Sequence, residues 1–259
     1  MRHLLTYYIT EFRNWVGGIP AAQRFARQHP KLAGFISDRF DPANFLGLPL
    51  LLILLAGLVN ILLLSELAES VMDAEWIVIA DQKFTDLLYS MRSKWLSVLL
   101  FAVTKLGERE AVFILGGLLT LYLLYHKRWW TIVAFWLVMG GVGLTVQTAK
   151  SFISRARPAD VAYYEVEHFS FPSGHATTIM ALAGFLAYLL YRNTQSSLHR
   201  KLIVWVAAIL ILLVGFSRIY LGVHFLSDVL AGFILGLLWL LVGISLEETV
   251  LYRKKKRQV

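Results

Sequence analysis

Cysteine is absent from the 259 residues. No disulfide, thiolate metal site or cysteine nucleophile is therefore open to the chain, while the compartment stays undetermined. Charge is also scarce: Asp, Glu, Lys and Arg make up 16% of residues, against roughly a quarter in soluble domains. Together with 58% hydrophobic residues and a mean hydropathy of +0.62, that scarcity excludes an ordinary soluble domain. No basic-start, short-apolar, small-residue cleavage pattern opens the chain, so no removable signal peptide is expected. Internal repeats and low-complexity tracts are missing too. Acidic charge is the minority sign, with 17 Asp and Glu against 25 Lys and Arg, a net +8. In so apolar a chain this excess suits loops facing anionic lipid, and no nucleic-acid partner is expected.

What the chain has in quantity is runs of about 20 apolar residues, the length that crosses a bilayer core as a helix. Six spans are expected, near 46–65, 110–126, 129–153, 172–191, 201–217 and 226–246. An even count puts both termini on one side. Arg2, Arg13, Arg24, Arg27, Lys31 and Arg39 precede the first span; Lys127 and Arg128 lie between the second and third. Arg192, Arg200 and Lys201 separate the fourth and fifth, and "RKKKR" (Arg253 to Arg257) follows the sixth. All of these fall on one side, which is therefore cytoplasmic. Residues 1–45 mix aromatic and basic residues and read as an amphipathic segment along the inner leaflet, or else as a small soluble cap. Residues 67–109 read as outer interfacial helices, since the apolar "WLSVLLFAVTKLG" is too short to cross. The expected organisation is a membrane domain over 46–250 and a basic cytoplasmic tail over 251–259.

Polar residues interrupt this pattern at the outward ends of the spans. Lys150 and Arg157 close the third, and "PSGH" (Pro172 to His175) opens the fourth. Ser217 and Arg218 close the fifth; His224 and Asp228 flank the start of the sixth. Singly, each has a bland reading: a snorkelling cation, a helix cap, a surface pair four residues apart. Jointly those readings would all have to hold at one depth, on one side, in four helices, and they are rejected together.

Such a set suits phosphoryl transfer. A phosphate monoester carries nearly two negative charges and is met best by planar multidentate arginine, with lysine as a point charge. A helix opening with Ser173-Gly174 offers free backbone N–H groups and its dipole to an anion. One histidine then attacks phosphorus while the other protonates the leaving oxygen. Asp228, a turn beyond His224, is placed to hold one imidazole nitrogen as N–H, and His175 beside the cradle suits the acid role. No second acidic residue sits beside Asp228 and no His/Glu set has metal-ligand spacing, so neither a metal nor a two-metal mechanism is expected.

The three blocks together resemble the type 2 phosphatidic acid phosphatase superfamily, whose signature is K-x6-RP, PSGH and SR-x5-H-x3-D. Lys150 to Pro158, Pro172 to His175 and Ser217 to Asp228 fit it without departure. The resemblance implies a metal-independent, cofactor-free phosphatase working through a phosphohistidine. It implies His224 as nucleophile, Asp228 as its partner and His175 as general acid, with Lys150, Arg157, Ser173, Gly174 and Arg218 binding phosphate. Among its bacterial members are phosphatases of phosphatidylglycerophosphate, undecaprenyl diphosphate and lipid A.

The expectation is thus an all-α, six-span transmembrane helical bundle with its site at the outer membrane–water interface. It would sit in a bacterial inner membrane, its partners being the bilayer and a lipid phosphate substrate. Undecaprenyl diphosphate is the first substrate considered, then phosphatidylglycerophosphate or phosphatidic acid. A transporter or a non-catalytic lipid binder is the alternative of another class. Outside the signature, Tyr163, Tyr164, Phe169 and Phe171 are expected at the headgroup layer, as a lid over the lipid entrance or as plain interfacial anchors. Arg155 reads as a surface arginine, or else as a contact for a second phosphate. "TKLGERE" (Thr104 to Glu110) is expected to border the site.

Overall fold

The computed structural model describes residues 11, 15–16, 18–39, 44–74 and 76–257. Most of the expected N-terminal amphipathic segment before residue 18, with Arg2 and Arg13, lies outside them. Among the described residues every regular element is helical, as expected. The chain divides into two compact units, Met1–Leu58 with Glu248–Val259, and Val59–Glu247. In the first unit, α1 (Pro20–Gln28) and α2 (Pro30–Arg39) are separated by His29. Each opens on proline, whose missing N–H would have had no partner in a first turn.

Next come α3 (Leu48–Met72), α4 (Trp76–Ser90), α5 (Lys94–Thr104) and a 3₁₀ turn (Lys105–Gly107). They are followed by α6 (Arg109–Tyr125), α7 (Trp129–Ile153), α8 (Gly174–Asn193), α9 (Ser197–Tyr220) and α10 (Leu226–Lys256). Among the described residues five helices, α3 and α7 to α10, are long and apolar enough to cross a membrane. Expected boundaries hold best where the apolar run ends in a breaker. Ser154 takes a left-handed conformation (φ 50°) and stops α7 at Ile153. Two helices outrun their greasy stretches, α3 through "SELAESVM" and α10 through "SLEETVLYRKKK", both rich in good helix formers.

The core of the larger unit is a three-helix contact. Phe135, Val138, Met139 and Val142 of α7 meet Leu182 and Phe185 of α8 and Leu235 and Leu240 of α10. In lipid no hydrophobic drive favours helix over solvent, so close packing through small residues decides the arrangement. A Cβ on Gly232 would stand 2.7 Å from the Ser173 carbonyl, and one on Gly236 2.6 Å from that of Thr177. These glycines let α10 lie directly against the first turn of α8. By contrast α3 fully buries only Asn60 and Val71, packs Leu64 and Leu67 partly against the core, and leaves most of its other leucines exposed.

Candidate active site

The site forms where α7 ends, α8 begins, α9 ends and α10 begins. Residues 154–173 run between α7 and α8 without regular structure, and their polar groups are met one at a time. Arg92 Nη1 donates to the Val161 carbonyl at 2.6 Å, Tyr163 N to Leu221 O at 2.8 Å, and Ser170 N to Arg155 O at 2.8 Å. Gly222 (φ +68°) lets the chain leave α9 and fold back. The Val223 and His224 amides then donate to the Arg218 carbonyl, which delivers His224 to the site.

Asp228 is wholly buried in the first turn of α10. Its Oδ2 accepts the Phe225 amide at 2.8 Å, the side-chain half of a capping box. The same oxygen accepts from Ser170 Oγ, which also lies 3.2 Å from His224 Nδ1; Asp228 Oδ2 itself is 3.5 Å from that nitrogen. On the opposite edge of the ring, Arg157 Nη1 is 3.2 Å from Nε2. A guanidinium only donates, so Nε2 carries the lone pair and Nδ1 the proton. Burial, then Arg218, Arg157 and Lys150, hold the imidazole well below its ordinary 6.5. His224 is therefore neutral, and its Nδ1 contacts are hydrogen bonds rather than an ion pair. The expected Asp–His relation is present, with Ser170 bridging it.

The cations converge from three segments. Lys150 Nζ donates to Phe169 O and, at 3.4 Å, to Ser170 O. Arg157 donates to His168 O at 2.6 Å, to Phe169 O at 3.2 Å and to Val223 O at 2.5 Å. Burial, then Arg218, lower its guanidinium to about 10, so it is still charged at neutral pH. Arg218, only 1% exposed, donates to Thr104 Oγ1 at 2.7 Å and to the Tyr164 hydroxyl. His175 lies within electrostatic reach of Arg218, His224, Arg157 and Lys150. The Gly107 position packs on it, 2.9 Å separating a Cβ there from the His175 carbonyl, so "TKLGERE" does border the site.

Three buried polar atoms here have no hydrogen-bond partner among the described residues: Ser173 Oγ, His175 Nε2 and Arg218 Nε. Leaving such groups unpaired costs about 1–3 kcal/mol each. With three cations and the first turn of α8, where Gly174 begins the helix, they form a set that a tetrahedral oxyanion would satisfy. Among the described residues no group of three or more His, Asp and Glu gathers so as to hold a metal.

Two expectations change. Phe171 is not a headgroup aromatic: it is 1% exposed and packs with Val71 and Ala231 in the core. Tyr164 turns inward, its hydroxyl on Arg218 and its ring 5.2 Å from that of Phe101, leaving Tyr163 and Phe169 exposed. Arg155 is not on the surface either. Its side chain is 10% exposed and pairs with Asp228 at 2.7 Å and Asp81 at 2.8 Å. Ser170 and Asp81 escaped the sequence reading. A lone serine between two phenylalanines was the available sign of the first, whereas Asp81 stood among other acids of an acidic segment.

Residues 129–251 match the PAP2 superfamily. The chain is 31% identical to phosphatidylglycerophosphatase B of Bacillus subtilis over 172 residues, 66% of this chain and 85% of that protein. It is 28% identical to a lipid A 4'-phosphatase of Porphyromonas gingivalis over 184 residues, 65% of this chain and 66% of that protein. The crystal structure of a transmembrane PAP2-type phosphatidylglycerolphosphate phosphatase from Bacillus subtilis superposes with a TM-score of 0.70 at 29% identity. That match covers 75% of this chain and 96% of the other.

Proposed function

The chain belongs to the PAP2 superfamily and is a membrane phosphatase of lipids, and on that premise we propose that it hydrolyses a phospholipid phosphomonoester, phosphatidylglycerophosphate first, through a phosphohistidine on His224. The observation that carries the reading is the partnerless trio Ser173 Oγ, His175 Nε2 and Arg218 Nε beside Lys150 and Arg157. Phosphate oxygens supply acceptors to all the donors at once. His224 Nε2 then offers its lone pair to phosphorus, and the bond to the lipid alkoxide breaks as His175 gives that oxygen a proton. The positive charge that develops on the imidazole is stabilised by the Asp228 carboxylate, with Ser170 bridging the two. His175 afterwards takes a proton from water, which attacks the phosphohistidine and releases phosphate.

The relatives named for phosphatidylglycerophosphate support a monoester. So does Arg155, the cation considered for a second phosphate, because two carboxylates already engage it. We read α6 as the sixth span: its 17 residues rise about 25 Å, at the lower end of what crosses a bilayer core. Six spans with Lys127, Arg128, Arg192, Arg200, Lys201 and Arg253 to Arg257 inside would put the site at the outer face of a bacterial inner membrane. Tyr163 and Phe169 would then meet lipid at its entrance.

The test is phosphate release by the purified chain in detergent with EDTA present. Phosphatidylglycerophosphate, phosphatidic acid and undecaprenyl diphosphate are compared, with His224→Ala alongside. Turnover in chelator that vanishes in the variant and is fastest on phosphatidylglycerophosphate is expected. Undiminished activity in His224→Ala overturns the mechanism, and a faster rate on undecaprenyl diphosphate overturns the substrate.

A further inference from the structure

Behind the nucleophile lies a second layer of charge that the signature does not contain. Arg155 uses both ends of its fork: Nη1 bonds Asp228 Oδ1 and Ser227 Oγ, each at 2.7 Å, and Nη2 bonds Asp81 Oδ2 at 2.8 Å. The guanidinium carbon lies 4.3 Å from the centre of the Phe225 ring, a cation–π contact. Asp81 comes from α4, outside the residues that match the superfamily, and is 3% exposed. Its Oδ1 accepts the Ser227 amide at 3.0 Å, and its Oδ2 accepts the Ser227 hydroxyl. An unbroken line of contacts runs Asp81, Arg155, Asp228, Ser170, His224.

We propose that Asp81 and Arg155 are positioning residues for the phosphatase reaction, holding the Asp228 carboxylate, and through Ser170 the His224 imidazole, in the orientation that aims Nε2 at phosphorus. This rests on His224 being the nucleophile. Asp228 needs a cation on the side away from the imidazole. Without one, Oδ2 keeps the Phe225 amide and the Ser170 hydroxyl, but Oδ1 loses its cation and the carboxylate is drawn toward the more distant charges of Lys150 and Arg157. Arg155 supplies that cation from behind. Asp81 keeps Arg155 from collapsing onto Asp228 alone, because a planar fork between two carboxylates has one orientation. Lysine, a point charge, cannot fix both.

A purely structural role is the competing reading, since Asp81 also satisfies an N–H in the first turn of α10. The purified full-length chain is therefore compared with Asp81→Asn, which keeps the shape, with Arg155→Lys, Arg155→Gln and the double variant Asp81→Asn/Arg155→Gln, and with His224→Ala as reference. For Arg155→Gln, kcat should fall about 100-fold with KM within about threefold, and for Asp81→Asn kcat should fall about 10-fold. Arg155→Lys should recover part of the loss. The double variant should be no slower than Arg155→Gln, because the two residues act in series. Unchanged kcat in Asp81→Asn and Arg155→Lys overturns the inference. So do losses that multiply, or kcat and KM changing together as the proteins lose thermal stability. Activity surviving in His224→Ala would overturn instead the reading beneath it.

Discussion

Two carboxylates are buried near opposite ends of the crossing part of α10, and they are treated differently. Asp228, at the first turn, is met by Arg155, Ser170 and the Phe225 amide. Glu247, some five turns later, is met on one oxygen by Thr131 at 2.7 Å and Arg128 at 3.3 Å, while its other oxygen has no partner. Both are at most 1% exposed. Burial alone therefore does not distinguish the carboxylate proposed to serve His224 from one that lies away from the site. Asp228 has both oxygens engaged, whereas Glu247 has one, which ties α10 to the start of α7.

The sharpest way to break this contrast is to remove each charge while keeping its shape. Asp228→Asn should lower kcat about 10³–10⁴-fold, because the amide no longer favours the tautomer with Nε2 free; steady-state phosphate release checks it. Next come the glycines near the two ends. Gly232→Ala drives a methyl into the Ser173 carbonyl and Ala176, and Gly243→Ala drives one into Val138 and Phe185. Both should cost about 1–3 kcal/mol of stability. Only Gly232→Ala should also lower kcat/KM, roughly tenfold, when rates are normalised to folded protein.

A pH series sharpens the comparison further. His224 is held below its ordinary 6.5 by burial and three cations, so the unfolded chain binds a proton that the folded chain refuses. Its contribution to stability is full above 6.5 and declines as pH falls below it, by at most about 1.4 kcal/mol per pH unit. The thermal midpoint of the native protein should drop between pH 7.5 and pH 5.5 by more than that of His224→Asn. The smallest effect belongs to Glu247→Gln. Its activity should stay within about twofold, with stability changed by about 1 kcal/mol, measured by the same assay and thermal scan.

The signature residues were readable because they carry chemistry at fixed spacing beside helix ends, and an apolar chain makes each polar residue conspicuous. The core helices were readable for the same reason: their apolar runs end at Ser154 and at the Ser173-Gly174 cap. What stayed hidden was partnership across long separations. Asp81 lies 146 positions from Ser227 and 74 from Arg155, and Arg155 lies 73 from Asp228, separations that no local pattern encodes. Phe171 and Tyr164 share an aromatic-rich loop, and composition could not tell that one faces the core and the other Arg218. Arg155 lay inside a spacer whose length, rather than content, defines the motif.

The loop carbonyls of His168, Phe169 and Val223 hold Arg157, and those of Phe169 and Ser170 hold Lys150. An arriving phosphate thus trades against acceptors the protein itself provides, and its net gain is a difference between two sets of bonds. The same trade runs backward when inorganic phosphate departs, since the carbonyls are at hand to take the cations again. On the proposed reaction, grip on the free product would be weakened by the protein's own backbone, and retention would rest on the lipid part of the substrate, which the product has lost.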